Sequence, residues 1–445
     1  MSIGKNTAVG LAADMAIFGL GIIVSIVLTR SLGPEQRGVY ILLTTTNALL
    51  TQLGHLSVAG AISTMLARGR LQAGEVHTAA LLLAFGLGLI LFAVATLTYP
   101  LVRESVFQNV PYPYLLIALL LIPITIYQVY WNYMMMGLNR LLVLNKLNVV
   151  VNITSTVLMI LVVGVFRGGV PGALLVWAVS ALATAIGGVV LALGIAGFAW
   201  PPRRRVLADL LHFGVRSHGA NIAHHVFLRF DMYVVNTLVG TAGVGIYSLS
   251  TSLAERLWLP LNAIHASSLS KIAQLPRDES AQLTARVTRT AVLLMLSAAV
   301  PFALVSPWLI PFVYTADFTA AVVPLIILLL GTPAFAVMMV LNSYIQGQME
   351  RPGLLSILGW LQIGVSVPLY LVLIAWQGIV GAAVASSVTY LLTMAGSLYV
   401  FRRDSGLPIN AVLVPRAADF REYIRVIRRL LRRVPGFGHY ADRPS

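Results

Sequence analysis

The sequence predicts an all-helical integral membrane protein with about twelve transmembrane helices, on three observations. Hydrophobic residues make up 58% of the 445 residues and charged residues only 10%, whereas a soluble domain carries roughly 25% charged residues. The apolar residues form long runs, and about 20 such residues cross a bilayer as a helix. Strands of a membrane barrel would be about ten residues long and would alternate in polarity. The apolar runs here are about twice as long and unbroken, so a barrel is excluded.

The apolar runs fall into two sets of six, separated by a segment with a double proline and a triple arginine. The first set lies near 8–30, 39–66, 78–102, 113–136, 147–166 and 172–199, and the second near 212–239, 244–270, 286–314, 320–347, 353–376 and 378–402. The first run has no small-residue cleavage site, so we expect a retained helix and no signal peptide. The predicted parts are an N-lobe (1–200), a linker (201–211), a C-lobe (212–402) and a tail (403–445).

Loop charges favour an orientation with both termini in the cytoplasm. In this orientation the inner loops carry twelve basic residues and the outer loops four, as the positive-inside rule requires. An even number of crossings follows, which twelve satisfies. The inner set is Arg68, Arg70, Arg140, Lys146, Arg203, Arg204, Arg205, Lys271, Arg277, Arg286, Arg289 and Arg351, and the outer set is Arg30, Arg37, Arg103 and Arg167.

The tail after Phe401 is strongly basic and carries ten of the thirty basic residues. Its segment RAADFREYIRVIRRLLRR predicts a helix with one apolar stripe, suited to the anionic inner leaflet. The alternative is a solvated, partly disordered tail that anchors the topology. Because the net charge of +15 is explained by this tail and the inner loops, we expect no nucleic-acid partner. The stripe consists of Phe420, Ile424, Ile427, Leu431 and Val434.

The sequence contains an internal repeat at an offset of 207 residues. Gly33, Gly38 and Tyr40 in the first hairpin align without gaps on Gly240, Gly245 and Tyr247 in the seventh-to-eighth hairpin. Coincidence in a glycine-rich chain is the alternative, but both copies fall on equivalent predicted hairpins, where glycine suits a tight turn. An offset of six helices preserves orientation, so we expect two six-helix lobes related by a parallel repeat, with a central cavity.

Two segments resemble a known family. LTRSLGPEQRGVY and FLRFDMYVVNTLVGTAGVGIYSLSTSLAE are similar to hairpin regions of exporters in the multidrug/oligosaccharidyl-lipid/polysaccharide flippase superfamily. The resemblance implies two lobes, alternating access and a location in the bacterial cytoplasmic membrane. Twelve helices favour the O-antigen type of oligosaccharide flippase over fourteen-helix lipid flippases. The implied partners are a lipid-linked oligosaccharide, membrane lipids and polysaccharide assembly proteins.

The seventh predicted helix carries a polar stripe inside the membrane. His218, Asn221, His225 and Arg229 are spaced at helical intervals, so they share one face. Charges at this depth are costly and usually face a water cavity or a protein interior. We predict a substrate-binding cavity in which guanidinium groups hold a pyrophosphate. Its cationic members are Arg216, Arg229 and Arg256.

Three acidic residues are candidates for ion coupling: Asp14, Asp231 and Glu255. A structural alternative is that Arg229 pairs with Glu255, or Arg256 with Asp231, and merely joins two helices. A metal site from the histidines of the seventh helix is disfavoured, because His224 and His225 diverge by about 100° on a helix and no carboxylate completes a ligand set.

The first lobe offers uncharged polar residues, since the repeat places Ile22, Ala48 and Leu49 at the positions of Arg229, Glu255 and Arg256. Amide side chains suit sugar hydroxyls, although hydrogen bonding between helices is an equal alternative for each. The predicted substrate-binding members are Gln128, Asn132, Asn148 and Asn152, and Gln52, His55 and Asn145 extend this polar wall.

The function predicted is the flipping of a polyprenyl-(pyro)phosphate-linked oligosaccharide to the outer leaflet. The main alternative is a cation-coupled multidrug exporter, which would favour an acidic or aromatic cavity. A membrane enzyme is disfavoured, because the chain shows no phosphate loop, catalytic triad or metal motif and its predicted outer loops are short. The absence of cysteine excludes disulfides and thiolate sites, and we expect no cofactor and no metal.

Overall fold

The computed structural model describes residues 3–416 and 419–420. Most of the predicted tail helix therefore lies outside the described residues. The chain is 88% helical, and the described residues contain no strand, which confirms the all-helical class. Within the helices, the side chains outside the description are those of 3–12, 216, 217, 220, 221, 224, 262, 263, 266, 267, 270 and 352.

The helices follow one another with short connections. In chain order they are α1 (Ile3–Gly54), α2 (Val58–Ala67), α3 (Ala73–Val102), α4 (Tyr112–Leu120), α5 (Ile122–Gly137), α6 (Leu141–Met159), α7 (Gly169–Ile195), α8 (Arg204–Leu238), α9 (Thr241–Arg256), α10 (Trp258–Gln274), α11 (Arg277–Val313), α12 (Val322–Gly347), α13 (Pro352–Ser405) and α14 (Ile409–Leu413). A π-helical turn, Ile160–Val165, extends α6, and a 3₁₀ turn, Ala316–Ala321, precedes α12.

Eight of these helical segments are long and apolar enough to cross a membrane. Two of the eight, in α1 and α13, contain two crossing helices each, because the backbone turns at Gly33 (φ 67°) and Gly378 (φ 57°). The predicted seventh and eighth spans correspond to α8 and to α9 with α10, which are more polar. The chain is therefore a multi-pass membrane protein with the predicted twelve crossings.

Two compact units make up the chain. The first comprises Met1–Ser248 with Ile310–Thr319, and the second comprises Leu249–Leu309 with the described residues from Ala320 onward. Helix α8 belongs to the first unit because it packs tightly on the start of α2: a Cβ on Gly214 would lie 2.6 Å from the Leu56 carbonyl oxygen. The predicted lobes, 1–200 and 212–402, have other bounds than these two units, and the division into lobes stays a prediction.

The two repeat hairpins turn at equivalent glycines, each with a positive φ. Gly33 has φ 67° and Gly240 has φ 97°, a left-handed region that glycine enters without the steric cost borne by other residues. Their equivalence confirms the repeat and explains the glycine at each position. The hairpin in α13 turns in the same way at Gly378, and its counterpart before α7 turns at Gly169 (φ 60°).

The two repeat hairpins also pack against each other, through glycine. A Cβ on Gly38 would lie 1.8 Å from the Thr241 carbonyl oxygen, and a Cβ on Gly245 would lie 1.9 Å from the Pro34 carbonyl oxygen. The contact is reciprocal, since Pro34 and Thr241 are themselves equivalent in the repeat. Each hairpin thus offers the other the same surface, as in a contact about a two-fold axis. Small residues at such crossings let membrane helices approach closely.

Arg37 reinforces this crossing in a way that the sequence does not reveal. Its position near a predicted turn indicates an outer-loop charge, but its side chain is buried. Its guanidinium donates to the Gly245 carbonyl oxygen and, at 2.5 Å, to Ser248 Oγ. It also lies 5.9 Å from the centre of the Phe318 ring, a cation–π distance. The repeat places Val244 at the equivalent position, so this clamp occurs in one copy.

Within the second unit, the chain beyond α13 packs against α10, α11 and α12. Val412 on α14 is buried in an apolar cluster with Leu341, Tyr344 and Phe401. The chain turns into this segment at Gly406, whose φ is 71°. The start of the predicted tail is therefore part of the packed structure of this unit, and not a separate piece as the sequence indicated.

A buried ion pair fixes this segment. Arg289 Nε donates to Asp419 Oδ2 at 2.6 Å, and both side chains are under 10% exposed. The Arg416 amide donates to the same oxygen at 2.8 Å. Burial raises the pKa of Asp419, but the hydrogen bonds and charge of Arg289 and the Arg416 amide outweigh it and hold that pKa below its usual range.

We expect neutralisation of this carboxylate to loosen the segment. Asp419→Asn leaves the buried guanidinium of Arg289 without its partner, which costs about 3 kcal/mol, so the melting temperature at pH 7 should fall. Because the folded pKa is depressed, the stabilisation is present above the unfolded pKa of about 4 and is lost as pH falls. The melting temperatures of mutant and wild type should therefore converge in acid. Asp209→Asn, which removes an exposed pair with Arg205, should change little; equal losses in both variants would contradict the argument.

The glycine crossing gives a second prediction. Gly38→Ala and Gly245→Ala place a Cβ inside van der Waals contact with a carbonyl oxygen, so the hairpins must separate. Overpacking of this kind costs about 1–3 kcal/mol or more, and we expect each variant to show reduced membrane levels and a lower melting temperature. Gly19→Ala is the matched control, because a Cβ added there would meet nothing within 4 Å. Wild-type stability of both crossing variants would show that the hairpins do not touch.

Candidate functional site

Asp231 lies on α8 and is buried. Tyr247 donates its hydroxyl to Asp231 Oδ2 at 2.9 Å, and the Met232 amide donates to Oδ1 at 2.8 Å. Tyr247 belongs to the repeat, but the position equivalent to Asp231 is Val24. The carboxylate is thus a feature of one copy, and these donors fix its position.

The later half of α8 is tied to its neighbours through side chains. Tyr233 donates to Thr46 Oγ1 on α1 at 3.1 Å. Asn236 donates to the Val106 carbonyl oxygen at 2.8 Å, and Thr237 donates to that of Ser105 at 2.7 Å. Asn236, predicted to continue the polar stripe, therefore binds the loop between α3 and α4. These bonds fix the position of α8 beside α1.

The predicted cationic centre is described only in part. Arg229 is half-buried on α8 and donates to the Leu228 carbonyl oxygen at 3.0 Å. His225, one turn earlier, is also half-buried. Glu255 and Arg256 are half-buried at the end of α9, in the second unit. The predicted pairs Arg229–Glu255 and Arg256–Asp231 would join the two units and stay a prediction.

Three further residues of the predicted site lie on α8 and α1. Arg216 and Asn221 lie on α8, and their side chains are outside the description. Asp14 lies on α1 and is exposed. In the described part of the chain, no group of three His, Cys, Asp or Glu side chains could hold a metal ion.

The predicted amide wall of the first unit divides in two. Gln128 donates to the Ala181 carbonyl oxygen on α7 at 2.6 Å, and Asn152 donates to that of Asn148 at 2.8 Å. For Gln128 the alternative of hydrogen bonding between helices describes the geometry, whereas Asn152 bonds within its own helix, α6. Asn132 differs, because its Oδ1 is buried with no hydrogen-bond partner among the described residues. A buried amide oxygen without a donor is uncommon, which makes Asn132 the stronger sugar-binding candidate.

A histidine cluster forms where α1 ends and α2 begins. His218 of α8 lies between Ser57 Oγ, 3.0 Å from its Nδ1, and the Leu53 carbonyl oxygen, 2.9 Å from its Nε2. His55 lies between the Ser57 amide, 2.9 Å from its Nδ1, and Gln52 Oε1, 2.8 Å from its Nε2. The two ring centres are 6.0 Å apart. The structure thus places His218 beside His55, which in turn bonds to Gln52; both belong to the predicted polar wall.

The backbone at this cluster is strained. Leu56 (φ 47°) and Ser57 (φ 53°) are consecutive left-handed residues, a conformation that costs non-glycine side chains energy and occurs at functional sites. The sequence predicted one continuous helix over 39–66 and gave no sign of this break. Neither residue is a glycine or a proline, so no local signal marked the position.

Two adjoining cavities lie at the end of α3 in the first unit. The apolar cleft, of about 320 Å³, is bounded mainly by aliphatic and aromatic side chains of α1, α3 and α4. The polar pocket, of about 540 Å³, lies in the loop after α3. Tyr99 and Phe107 line both cavities, and their rings are 6.3 Å apart. The pocket residues with polar side chains include Arg103, Glu104, Gln108 and Asn109.

Comparison with known families gives a match over residues 3–269, more than half of the chain, to the family described as polysaccharide biosynthesis protein. A search of curated proteins finds no match.

Solved structures match the fold over nearly the whole chain. A multidrug resistance MATE family transporter of the MOP superfamily, in an inward-facing conformation, gives a TM-score of 0.72 at 15% identity, covering 90% of this chain and 98% of that one. An outward-facing structure of such a transporter gives 0.64 at 16%, covering 90% and 94%. A MOP superfamily transporter from Pyrococcus furiosus, reported to have a binding pocket of reverse polarity, gives 0.64 at 13%, covering 90% and 94%.

The resemblance of the two hairpin segments to this superfamily is thereby confirmed. The structures, all below 25% identity, establish the fold, and the family model establishes the membership. This multi-pass membrane protein belongs to the polysaccharide biosynthesis protein family.

Proposed function

We propose that this protein is a transporter that moves a polyprenyl-(pyro)phosphate-linked oligosaccharide from the cytoplasmic to the outer leaflet by alternating access, for surface polysaccharide biosynthesis. The observation that carries the proposal is the family match over residues 3–269. A role as an enzyme is disfavoured, because the family match and the shared fold both point to transport. A cell that builds polysaccharide on a lipid carrier inside must bring the lipid-linked sugar across its membrane.

The two adjoining cavities support a lipid substrate. A polyprenyl chain needs an apolar channel, and its phosphate and sugar need polar groups within reach of the end of that channel. The apolar cleft and the polar pocket meet at Tyr99 and Phe107, and Arg103 in the polar pocket offers a guanidinium for a phosphate. The pair of cavities therefore suits an amphipathic molecule whose anionic head can reach Arg103.

The charges predicted for the substrate path support the same choice. Arg216, Arg229 and Arg256 outnumber the acids Asp231 and Glu255 in this part of the sequence. Bidentate guanidinium groups suit pyrophosphate, and the buried Oδ1 of Asn132 suits a sugar hydroxyl. We propose Arg229 as the principal phosphate ligand, and Asp231 and Glu255 as residues that balance its charge when the site is empty.

A multidrug exporter is the second candidate, because two of the solved structures above are described as multidrug resistance transporters. Their identities of 15% and 16% carry the fold to this chain but not the substrate. An exporter of cationic drugs would need an acidic or aromatic cavity.

We further propose a location in the bacterial cytoplasmic membrane with both termini inside, which the twelve-to-four loop charge bias supports. The chain has no cysteine, so a single cysteine introduced at position 204 reports its side cleanly; labelling from outside intact cells would contradict this orientation. The remaining proposed partners are anionic inner-leaflet lipids, bound by the tail, and polysaccharide assembly proteins.

Deletion of the gene in its own host tests the function. We expect surface polysaccharide to be lost and lipid-linked oligosaccharide to accumulate, with both effects reversed by the wild-type gene. Arg229→Lys keeps the charge but loses the fork that binds two phosphate oxygens, so it should lose most export. Arg229→Ala should lose all of it at normal membrane levels.

Arg205→Ala is the matched control, because this arginine is exposed and makes a weak surface pair; it should export normally. Full export by a well-expressed Arg229→Ala variant would show that Arg229 only joins helices. Unchanged polysaccharide in the deletion strain, together with increased drug sensitivity, would favour the multidrug alternative.

A further inference from the structure

We propose that His218 is a proton-binding site of this transporter, with Ser57 as the hydroxyl that reverses its hydrogen bond when the proton binds. The inference names the coupling ion and rests on the proposed function in that respect only. It assigns proton binding to residues at the junction of α1, α2 and α8 other than Asp14, Asp231 and Glu255, the coupling candidates predicted from the sequence.

The hydrogen-bond partners define the resting state of His218. The Leu53 carbonyl oxygen can only accept, so Nε2 of His218 must carry a hydrogen and donate to it at 2.9 Å. The Ser57 hydroxyl can donate to Nδ1 at 3.0 Å, which leaves the ring neutral and protonated on Nε2. Nδ1 therefore carries no hydrogen and can take up a proton.

Protonation keeps both contacts. A proton that arrives from water binds Nδ1, which then becomes a donor, and the Ser57 hydroxyl rotates so that its oxygen accepts. The Nε2 bond to the Leu53 carbonyl oxygen is unchanged and becomes charge-assisted, which strengthens it. Release of the proton from Nδ1 restores the first arrangement, so the cycle moves one proton and breaks no covalent bond except N–H.

The neighbouring His55 cannot respond in this way. Its Nδ1 accepts from the Ser57 amide at 2.9 Å, and an amide cannot reverse into an acceptor. Protonation of Nδ1 would therefore set two N–H groups against each other and open the break. Ser57 contacts both rings: its hydroxyl bonds to His218 and its amide bonds to His55. A change at His218 therefore acts on the residue that holds His55 in place.

The surroundings set how strongly the proton is held. The described ionisable groups around the cluster are His55, 6.0 Å from His218 between ring centres, Tyr130, which donates to the His55 carbonyl oxygen at 3.0 Å, and His225, two turns further along α8. Arg229 follows one turn beyond His225. No carboxylate is among these groups, so no described negative charge pairs with a proton on His218.

The strained break gives the proton a mechanical effect. Leu56 and Ser57 are held left-handed by contacts that include the two histidines, and α8 packs directly on them at Gly214. A positive charge on His218 reverses the bond to the Ser57 hydroxyl and strengthens the bond to the Leu53 carbonyl oxygen. A proton can thereby shift the equilibrium between two arrangements of the break, which is what coupling requires.

The chain offers a matched control in His77. It is also buried, and it also contacts a carbonyl oxygen, that of Gly197 at 3.1 Å, and a hydroxyl, that of Tyr127 at 3.2 Å. It lies on α3, and the left-handed residue beside it is Gly197 (φ 78°), a glycine that adopts this conformation without strain. The same substitution at the two histidines therefore separates the effect of the break from the effect of a buried imidazole.

The test uses the purified full-length protein in lipid nanodiscs with ¹⁵N-labelled histidine. Among the eight histidines, nuclear magnetic resonance between pH 5 and 8 should show a neutral, Nε2-protonated ring that becomes doubly protonated on acidification and whose signal is absent in His218→Gln. Glutamine keeps a donor for the Leu53 carbonyl oxygen, so this variant should fold. Ser57→Ala removes the reversible partner and should weaken proton binding roughly tenfold.

Two further readouts complete the test. The protection factors of the amides across 52–60, which correct exchange for its intrinsic dependence on pH, should vary with pH in the wild type and in His77→Gln, but not in His218→Gln. In cells, His218→Gln should lose export while His77→Gln keeps it. A His218 ring that stays neutral down to pH 5, or protection factors across 52–60 that still vary with pH in His218→Gln, would overturn the proposal. Because the resonance and exchange measurements need no substrate, failure of the proposed function alone would leave them unchanged.

Discussion

The reciprocal glycine crossing is the constraint on which the first unit depends. Gly38 and Gly245 bring two helical hairpins to backbone contact, with no room for a side chain on either. In lipid, where apolar side chains gain nothing by leaving the solvent, close backbone packing and interhelical hydrogen bonds supply the attraction. Arg37 adds such bonds from one side only. The repeat thus provides a symmetric framework, and substitutions such as Val24 to Asp231 between copies make the two halves chemically different.

The crossing also determines where function can lie. With the hairpins joined near Gly38, α8 runs beside α1 and is fixed there by Tyr233 and Asn236. Near its middle, α8 passes the break after α1, where His218 contacts Ser57. Helix α8 therefore links a rigid junction to a strained one. A transporter needs such a combination, because one part must hold while another changes, and strain is stored where the surrounding contacts maintain it.

Sequence alone predicted the number of crossings, the repeat and the turning glycines, because length, hydrophobicity and glycine placement are local signals. It could not predict the left-handed break at Leu56 and Ser57, which carries no glycine or proline. It placed Arg37 in a loop because a charge near a predicted turn is normally exposed. For the site, helical spacing predicted a polar face that includes His218, but its hydrogen-bond partner Ser57 lies 161 residues away in the chain. Only tertiary packing brings His218 and Ser57 together.

The central claim is that the substrate is a lipid-linked oligosaccharide. The most direct test is reconstitution of the purified protein into vesicles that carry a fluorescent polyprenyl-pyrophosphate oligosaccharide in the inner leaflet, with and without a proton gradient. The account predicts appearance of the label in the outer leaflet, accelerated by the gradient and abolished in Arg229→Ala. Movement of a cationic drug across the same vesicles, with no movement of the lipid, would contradict it.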